Sequence, residues 1–171
     1  MIRRVTPGRA ATLLALAPLL VAGAASAEPP RIGDRAPPLE VRSLDGGRAV
    51  VPTGHVVVVD FFATWCTACQ QAMSALEPTL RAHANRITLV VVDVGEASAT
   101  VRRFFAHRAL PPGAIVLLDP ASALADAFGS RRFPTTFLVD PGGVVRHINR
   151  GFGPGYGARV SRWLLEMLAP P

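Results

Sequence analysis

The chain of 171 residues contains no lysine, a single tyrosine and only two cysteines. Its 18 basic residues are therefore all arginine, an imbalance that we attribute to genomic composition bias. Three of these arginines lie in residues 1–27, which contain no acid, and the remaining 15 stand against 12 acidic residues. So small a positive excess is ordinary for a protein surface, and the composition argues against nucleic acid as a partner.

The scarcity of cysteine limits what the two thiols can do. Both lie in the segment Cys66-Thr67-Ala68-Cys69, without a second cysteine pair or a His-x-x-x-His motif. A structural zinc site needs four ligands, so this pair supplies only half of one. A disulfide across so short a segment stabilises a fold very little, because the stabilisation grows with loop length. The pair therefore indicates redox exchange, with no metal and no cofactor beyond a Cys66–Cys69 disulfide.

The residues on either side place this pair where a strand meets a helix. Residues 56–62 are mostly apolar and β-branched, as in a strand, whereas residues from 67 onward have a helical composition. The free N–H groups and the positive dipole end of such a helix stabilise a thiolate at its first turn. We therefore expect Cys66 to have a pKa below that of an ordinary thiol, to be the more exposed sulfur and to attack a substrate disulfide. Cys69 then resolves the mixed disulfide.

Residues 1–27 have the pattern of a secretory signal peptide. A basic start precedes the apolar run from Ala10 to Ala25, and Ala25-Ser26-Ala27 is a small-x-small cleavage site. An uncleaved membrane anchor is the alternative, but the run contains Pro18 and is shorter than the roughly 20 residues of a membrane span. We therefore expect a periplasmic protein that associates with the membrane only transiently, through this segment.

The rest of the pattern predicts an extended, proline-rich arm over residues 28–38 and one domain over residues 39–171. The turn signal Asp45-Gly46-Gly47, between two short alternating runs, predicts a β-hairpin over residues 39–51. Strands then alternate with helices, an order typical of an α/β sandwich. We predict strands at residues 56–62, 87–92, 115–118, 135–139 and 144–148, and helices at residues 67–84, 98–108, 121–128 and 158–168.

Two segments carry a resemblance to a known family. Residues 60–69 (Asp-Phe-Phe-Ala-Thr-Trp-Cys-Thr-Ala-Cys) resemble the active-site stretch of thioredoxins, and residues 132–140 (Arg-Phe-Pro-Thr-Thr-Phe-Leu-Val-Asp) resemble their cis-proline loop. The export signal, the N-terminal hairpin and the insert-like residues 95–119 are most similar to the TlpA/ResA-like periplasmic thioredoxins. The resemblance covers residues 31–168 and implies a thioredoxin-like α/β/α sandwich with a mixed central sheet and an added N-terminal β-hairpin.

The resemblance also implies roles for single residues. Asp60 falls where thioredoxins carry a buried carboxylate, which exchanges a proton with the second cysteine. Pro134 is expected to form a cis bond and to lie against the cysteine pair, and the backbone at Phe133 is expected to pair with an extended substrate. Further substrate-binding residues are expected in the cysteine motif and the proline loop: Trp65, Thr67, Ala68 and Thr135.

Several positions depart from the family pattern. Ala68 replaces a proline before the second cysteine, and Ser74 replaces another proline shortly after it. Ala72 stands where the reductases of cytochrome c maturation often have a glutamate, and Val91 stands in place of a lysine near the buried acid. These changes bear on the substrate and the reduction potential rather than on the dithiol chemistry.

The resemblance therefore predicts a periplasmic thiol–disulfide oxidoreductase that acts on protein cysteines, more often as a reductant supplied by a membrane electron donor. The alternative is a chaperone that binds Cu(I) through Cys66 and Cys69, with His147 as a remote further candidate. A peroxiredoxin is disfavoured because residues 61–65 contain no proline. The arginine pair at residues 131–132, just before the proline loop, is a candidate for attracting an acidic partner.

Overall fold

The computed structural model describes residues 28–169, so the predicted signal peptide, residues 1–27, lies outside the described residues. The strands are β1 (Val56–Phe62), β2 (Ile87–Val94), β3 (Ile115–Asp119), β4 (Thr135–Val139) and β5 (Val145–Arg150). The helices are α1 (Thr67–Ala82), α2 (Ser98–Phe105), α3 (Ala123–Ala127) and α4 (Tyr156–Leu168). Each of these strands and helices begins and ends within three residues of its predicted bounds. In the described range, no helix combines the length and hydrophobicity needed to cross a bilayer.

The strands form one mixed sheet in the order β3-β2-β1-β4-β5. β1 and β3 run parallel to β2, whereas β4 is antiparallel to both of its neighbours, β1 and β5. Every residue of the central strand β1 is buried, because both faces of the sheet are covered. This arrangement confirms the predicted α/β/α sandwich with a mixed central sheet.

Alternating side chains of β1 build the two halves of the core. Val58 and Phe62 belong to the hydrophobic cluster that contains α1, α2 and α4. Val59 and Phe61 belong to the opposite cluster, which contains α3 and the N-terminal segment. Asp60 lies two residues from both Val58 and Phe62, so its side chain points to the same face of the sheet as theirs. Strand β1 therefore directs the Asp60 carboxylate toward α1 and α4.

The N-terminal arm, residues 28–38, pairs with the start of β5. The Gly33 amide donates to the Val145 carbonyl at 2.8 Å. Arg35 forms an antiparallel bridge with Val144. The arm is therefore tied to the folded domain along this edge of the sheet.

The hairpin predicted over residues 39–51 is reduced to a tight turn. One antiparallel bridge, between Arg42 and Arg48, closes the turn, and neither side of it continues as a strand. The physical reason is a competing partner, because the Arg42 carbonyl accepts the Leu118 amide of β3 at 2.9 Å. The first half of the turn thus pairs with the edge of β3 instead of continuing along a second hairpin strand.

Helices α1 and α4 pack against each other on the face of the sheet that holds the cysteines. The contact is closest at Gly157, where an added Cβ would lie 3.2 Å from both the Cβ and the carbonyl oxygen of Ala75. Glycine at this position therefore sets how near α4 approaches the helix that begins at the cysteine pair. The two helices share one buried cluster: Cys69, Ala72, Leu76, Leu80, Val160, Leu164 and Leu168.

Gly157→Val is expected to destabilise the fold by about 1–3 kcal/mol, because the branched side chain must push α4 away from α1. Urea unfolding of the oxidised protein measures this change in the free energy of unfolding. Ala158→Val, at the next and exposed position of the same helix, is the matched control. Its cost should stay below about 0.7 kcal/mol, the difference in helix propensity. Equal destabilisation by the two substitutions would contradict a packing role for Gly157.

Candidate active site

Cys66 and Cys69 form a disulfide at the first turn of α1. Cys66 caps this helix: its backbone is extended (φ -83°, ψ 95°), and its Sγ accepts the Cys69 N–H at 3.1 Å. An amide directed at this sulfur, together with the positive end of the helix, favours a thiolate once the disulfide is reduced. The structure thus confirms the predicted placement of the pair between a strand and a helix.

The two sulfur-bearing residues differ in exposure. Cys66 is 7% exposed and Cys69 is fully buried, so Cys66 is the more accessible of the two, as predicted. Between them, Thr67 is exposed and Ala68 is half-buried. Ala72, in place of the family's glutamate, is also fully buried, and the first turn of α1 contains no acidic residue. An approaching substrate therefore meets Cys66 first.

A carboxylate from another loop holds the backbone just before the cysteines. Glu96 accepts hydrogen bonds from the Thr64 amide at 2.5 Å and from the Thr64 hydroxyl at 2.7 Å. The Thr64 carbonyl accepts the Gln70 side-chain amide at 2.8 Å. These contacts position the loop that presents Trp65 and Cys66. Neither Glu96 nor Gln70 stands out in the sequence, because neither belongs to a motif that sequence reasoning singles out.

The proline loop lies beside the cysteine loop. The Phe133–Pro134 bond is cis, as predicted. The Trp65 side chain is 70% exposed, and its ring centroid lies 6.4 Å from that of Phe133. Thr135 is buried and donates its hydroxyl to the Arg132 carbonyl at 2.6 Å. The structure therefore brings Trp65 and Phe133 together near the surface, whereas the Thr135 hydroxyl is used inside the loop.

Asp60 is buried, as the family resemblance implies, and it has a partner on the adjacent strand. Thr136, its cross-strand neighbour in β4, donates its hydroxyl to the carboxylate at 2.9 Å. Burial raises the pKa of Asp60 to about 7, and the hydrogen bond from Thr136 offsets part of this rise. Asp60 can therefore gain or lose a proton near neutral pH.

Tyr156 extends this pair into a chain of three polar groups. Its hydroxyl lies 2.9 Å from the Thr136 hydroxyl. Because Thr136 has one hydroxyl proton and gives it to Asp60, Tyr156 donates to Thr136. Burial, and then the Asp60 charge, raises the pKa of Tyr156, so this group stays protonated. Sequence reasoning missed both residues, although Tyr156 is the only tyrosine and Thr136 lies in the proline-loop motif.

A second buried carboxyl group, that of Asp93 near the end of β2, is not predicted by any motif. Asp93 is fully buried, and neither of its oxygens has a hydrogen-bond partner within residues 28–169. Burial, reinforced by the nearby Glu96 carboxylate, raises the pKa of Asp93 to about 8. Asp93 is therefore mostly protonated at neutral pH.

His147, the remote copper candidate, packs against α4. Its ring stacks on Trp163, with centroids 4.6 Å apart and planes 7° from parallel. Burial lowers the pKa of His147, and the Glu166 carboxylate partly offsets this effect. In the part of the chain that the structure describes, no group of three or more His, Cys, Asp or Glu side chains is arranged to hold a metal ion.

A dithiol at a helix start beside a cis-proline loop is the arrangement of thioredoxin-like enzymes, and the chain is a thiol–disulfide oxidoreductase of this class. Comparison with protein families matches residues 32–148 to the AhpC/TSA family, and the chain belongs to that family. This match, together with relatives that are named as thiol-disulfide oxidoreductases, confirms the resemblance predicted from the two motifs.

Similar proteins are named as thioredoxin-like proteins or thiol-disulfide oxidoreductases. Thioredoxin-like protein YneN of Bacillus subtilis is 29% identical over 70% of this chain and 71% of its own. Thiol-disulfide oxidoreductase ResA of Geobacillus thermodenitrificans is 28% identical over 70% of each chain. A solved structure from Chlorobium tepidum, a candidate thiol:disulfide interchange protein DsbE, matches with a TM-score of 0.73 at 27% identity. The match covers 82% of this chain and 99% of that one.

Asp60→Asn is expected to remove a pH-dependent loss of stability. The folded protein keeps a proton on Asp60 that the unfolded chain releases above the ordinary pKa of 3.8. Stability therefore falls as the pH rises from about 4 to about 7, with a slope of up to about 1.4 kcal/mol per pH unit. Urea unfolding of the oxidised protein at several pH values measures this slope.

In the Asp60→Asn variant, the contribution of Asp60 is lost. The fall of the same sign that Asp93 causes, up to about pH 8, and the opposite contribution of His147, whose pKa burial lowers, should remain. The parent protein provides the reference at each pH. Identical slopes in the parent and the variant would contradict a raised pKa of Asp60.

Thr136→Val is expected to raise the pKa of Asp60 further, by about one unit, because it removes the hydrogen bond that favours the charged carboxylate. A titration of the Asp60 carboxyl ¹³C chemical shift measures this change. Thr88→Val is the matched control, since Thr88 is also buried in a strand but its hydroxyl contacts His55. An unaltered Asp60 titration in the Thr136→Val variant would show that the hydroxyl does not tune this carboxyl group.

Proposed function

We propose that this protein reduces disulfides of other proteins in the periplasm, by exchange with the Cys66–Cys69 dithiol. The observation that carries the proposal is the Cys66 sulfur at the start of α1, which accepts the Cys69 N–H at 3.1 Å. A sulfur stabilised in this way is a nucleophile when reduced and a good leaving group when oxidised. Its buried partner, Cys69, lies within the same helical turn and can attack it.

The exchange begins with the reduced protein. The Cys66 thiolate attacks one sulfur of a substrate disulfide, so that a Cys66–substrate disulfide forms and the substrate's own S–S bond breaks. The second substrate sulfur leaves as a thiolate and takes up a proton. Cys69, as a thiolate, then attacks Cys66, the internal disulfide forms, and the first substrate sulfur leaves and is protonated. Two electrons and two protons have then passed to the substrate.

We propose that the Asp60 carboxylate accepts the proton that the Cys69 thiol loses. On β1, the Asp60 side chain points to the same face of the sheet as that of Phe62, and Cys69 is buried on that face. With a pKa of about 7, its carboxylate can accept this proton during resolution and return it when the disulfide is reduced again. Thr136 and Tyr156 are positioning residues in this step, because they hold the carboxylate and adjust its pKa.

The proline loop and the cysteine loop together form the proposed substrate surface. Pro134 has no N–H that could compete for the reactive thiolate. The backbone at Phe133 is proposed to pair with an extended substrate strand. Trp65, which is largely exposed, supplies an apolar contact next to the sulfur, and Thr67 and Ala68 complete the surface.

The location and the direction of electron flow are part of the proposal. The signal-like pattern of residues 1–27 supports export to the periplasm. An exported reductant needs electrons from the cytoplasm, so we propose that a membrane donor reduces the Cys66–Cys69 disulfide after each turnover. The proposed recipients of these electrons are apocytochrome c, a metal-site protein or a general pool of protein thiols.

Cu(I) binding by the same two cysteines is the alternative function. Two thiolates are soft ligands that suit Cu(I). Nothing within the described residues adds a further ligand, since His147 is stacked on Trp163. Peroxide reduction is disfavoured because residues 61–65, just before the first cysteine, contain no proline. Disulfide exchange is therefore the function that we propose.

Cys66→Ser is expected to reduce the turnover of insulin disulfides, with dithiothreitol as electron donor, to the uncatalysed rate, because the nucleophile is lost. Cys69→Ser, reduced and then freed of dithiothreitol, should still attack but should accumulate the Cys66 mixed disulfide, because neither the resolving thiol nor an external thiol is present to cleave it. Insulin turbidity measures the first effect, and mass spectrometry of trapped adducts measures the second. The adduct captured in periplasmic extract also names the natural substrate.

Gln71→Ser, at an exposed position of α1 outside the proposed surface, is the control for a serine substitution in this helix. Undiminished insulin turnover by the Cys66→Ser variant would rule out the proposed mechanism. Tight, stoichiometric binding of Cu(I) combined with poor turnover of disulfides would favour the copper chaperone instead. The reduction potential of the Cys66–Cys69 pair decides the direction, since a reductant requires a potential below that of its substrate disulfide.

A further inference from the structure

Three arginines line a groove beside the proline loop. Arg131 and Arg132 precede the cis bond, and Arg150 is the last residue of β5; all three are exposed. The open cavity between them has a volume of about 360 Å³. We call it the arginine groove, and its lining residues are Gly129, Arg131, Arg132, Phe133, Thr135, Arg150 and Gly151.

The backbone holds these arginines at defined positions. The Arg132 carbonyl accepts the Thr135 hydroxyl at 2.6 Å, and Arg150 is the cross-strand partner of Thr135. The Arg131 amide donates to the Gly129 carbonyl at 3.2 Å. The backbone of each arginine is thus fixed by hydrogen bonds or strand pairing. All three residues line one groove, so the groove carries three positive charges.

No carboxylate in residues 28–169 forms a salt bridge with these three arginines. The salt bridges of this range involve other arginines: Arg31, Arg48, Arg81, Arg146 and Arg162. Like charges held around one groove repel each other, and a bound anion relieves this repulsion. A guanidinium group also presents a planar fork of N–H donors that matches a carboxylate. The groove is therefore suited to an acidic ligand.

The arginine groove lies next to the cysteine loop. Phe133 lines the groove and also contacts Trp65, the residue before Cys66, with ring centroids 6.4 Å apart. An extended chain advances about 3.3 Å per residue. A substrate whose cysteine meets Cys66 can therefore place side chains a few positions away over the groove.

We propose that the arginine groove selects substrates that carry aspartate or glutamate close to the reacting cysteine. This inference rests on the proposed disulfide exchange and adds to it a substrate class, acidic protein segments. Attraction between opposite charges at an exposed site acts mainly on the rate of association, and salt weakens it.

Two peptides test this selectivity. Each contains one cysteine activated as a 2-thiopyridyl disulfide, flanked by aspartates in one peptide and by asparagines in the other. The reduced protein attacks the peptide sulfur and releases 2-thiopyridone, whose absorbance gives a second-order rate constant. We expect the aspartate peptide to react about three- to tenfold faster at low salt, with the ratio approaching one at high salt. Dithiothreitol in place of the protein corrects for the intrinsic reactivity of each peptide.

Combining Arg131→Glu with Arg132→Glu should reverse the preference, and combining Arg102→Glu with Arg103→Glu should keep it. The second pair is the matched control, because these are adjacent, exposed arginines on α2 that do not line the groove. Both double variants change the net charge equally, so an effect of overall charge would appear in both.

A rate ratio of one in the parent protein at low salt would overturn the proposal. So would an equal loss of preference in both double variants. In either case, reaction of Cys66 with the asparagine peptide would leave the proposed disulfide exchange standing. Failure of Cys66 to react with either peptide would overturn the proposed function, and the role of the groove with it.

Discussion

The chemistry that we propose for this protein depends on one hydrogen bond, from the Cys69 amide to the Cys66 sulfur. The first N–H groups of a helix have no partner within the helix, and here one of them is directed at the reactive atom. This geometry requires α1 to begin at the sulfur itself, so the preceding loop must be held in place. The hydrogen bonds of Thr64 with Glu96 and Gln70 supply that support. We therefore expect residues away from the sulfur, Glu96 and Gln70, to influence its reactivity by holding this loop.

The interior contains two carboxyl groups that the fold must accommodate. Asp60 and Asp93 lie on the adjacent parallel strands β1 and β2, and burial raises the pKa of both. An uncharged acid in the core is less favourable than an apolar side chain of similar size unless it is hydrogen-bonded. Asp60 has such a bond, from Thr136, and a proposed role in moving the proton of Cys69. Asp93 has no hydrogen-bond partner among the described residues, and burial together with the Glu96 carboxylate favours its neutral form.

Local sequence patterns predicted where the strands and helices lie along the chain, and that the Cys66–Cys69 pair stands between a strand and a helix. Both features lie in contiguous segments. The cis bond at Pro134 was likewise predictable, since a short motif surrounds it. The N-terminal hairpin was overestimated, because the Arg42 backbone pairs with β3, a choice that only tertiary contacts make. Thr136, Tyr156 and Glu96 meet their partners only after β4, α4 and the loop after β2 have packed. Spacing along the chain therefore carries little signal for them.

Both edges of the sheet are partly covered by additional chain. Arg42 and Leu44 hydrogen-bond to β3, and Gly33 and Arg35 pair with the region at the start of β5. Bare edge strands join other extended polypeptides without discrimination, and this is a common route to aggregation. A protein proposed to pair with extended substrate strands is especially exposed to that hazard. The covered edges are expected to limit such pairing, so that an extended substrate would add to this protein at the proposed proline-loop surface and not along the sheet.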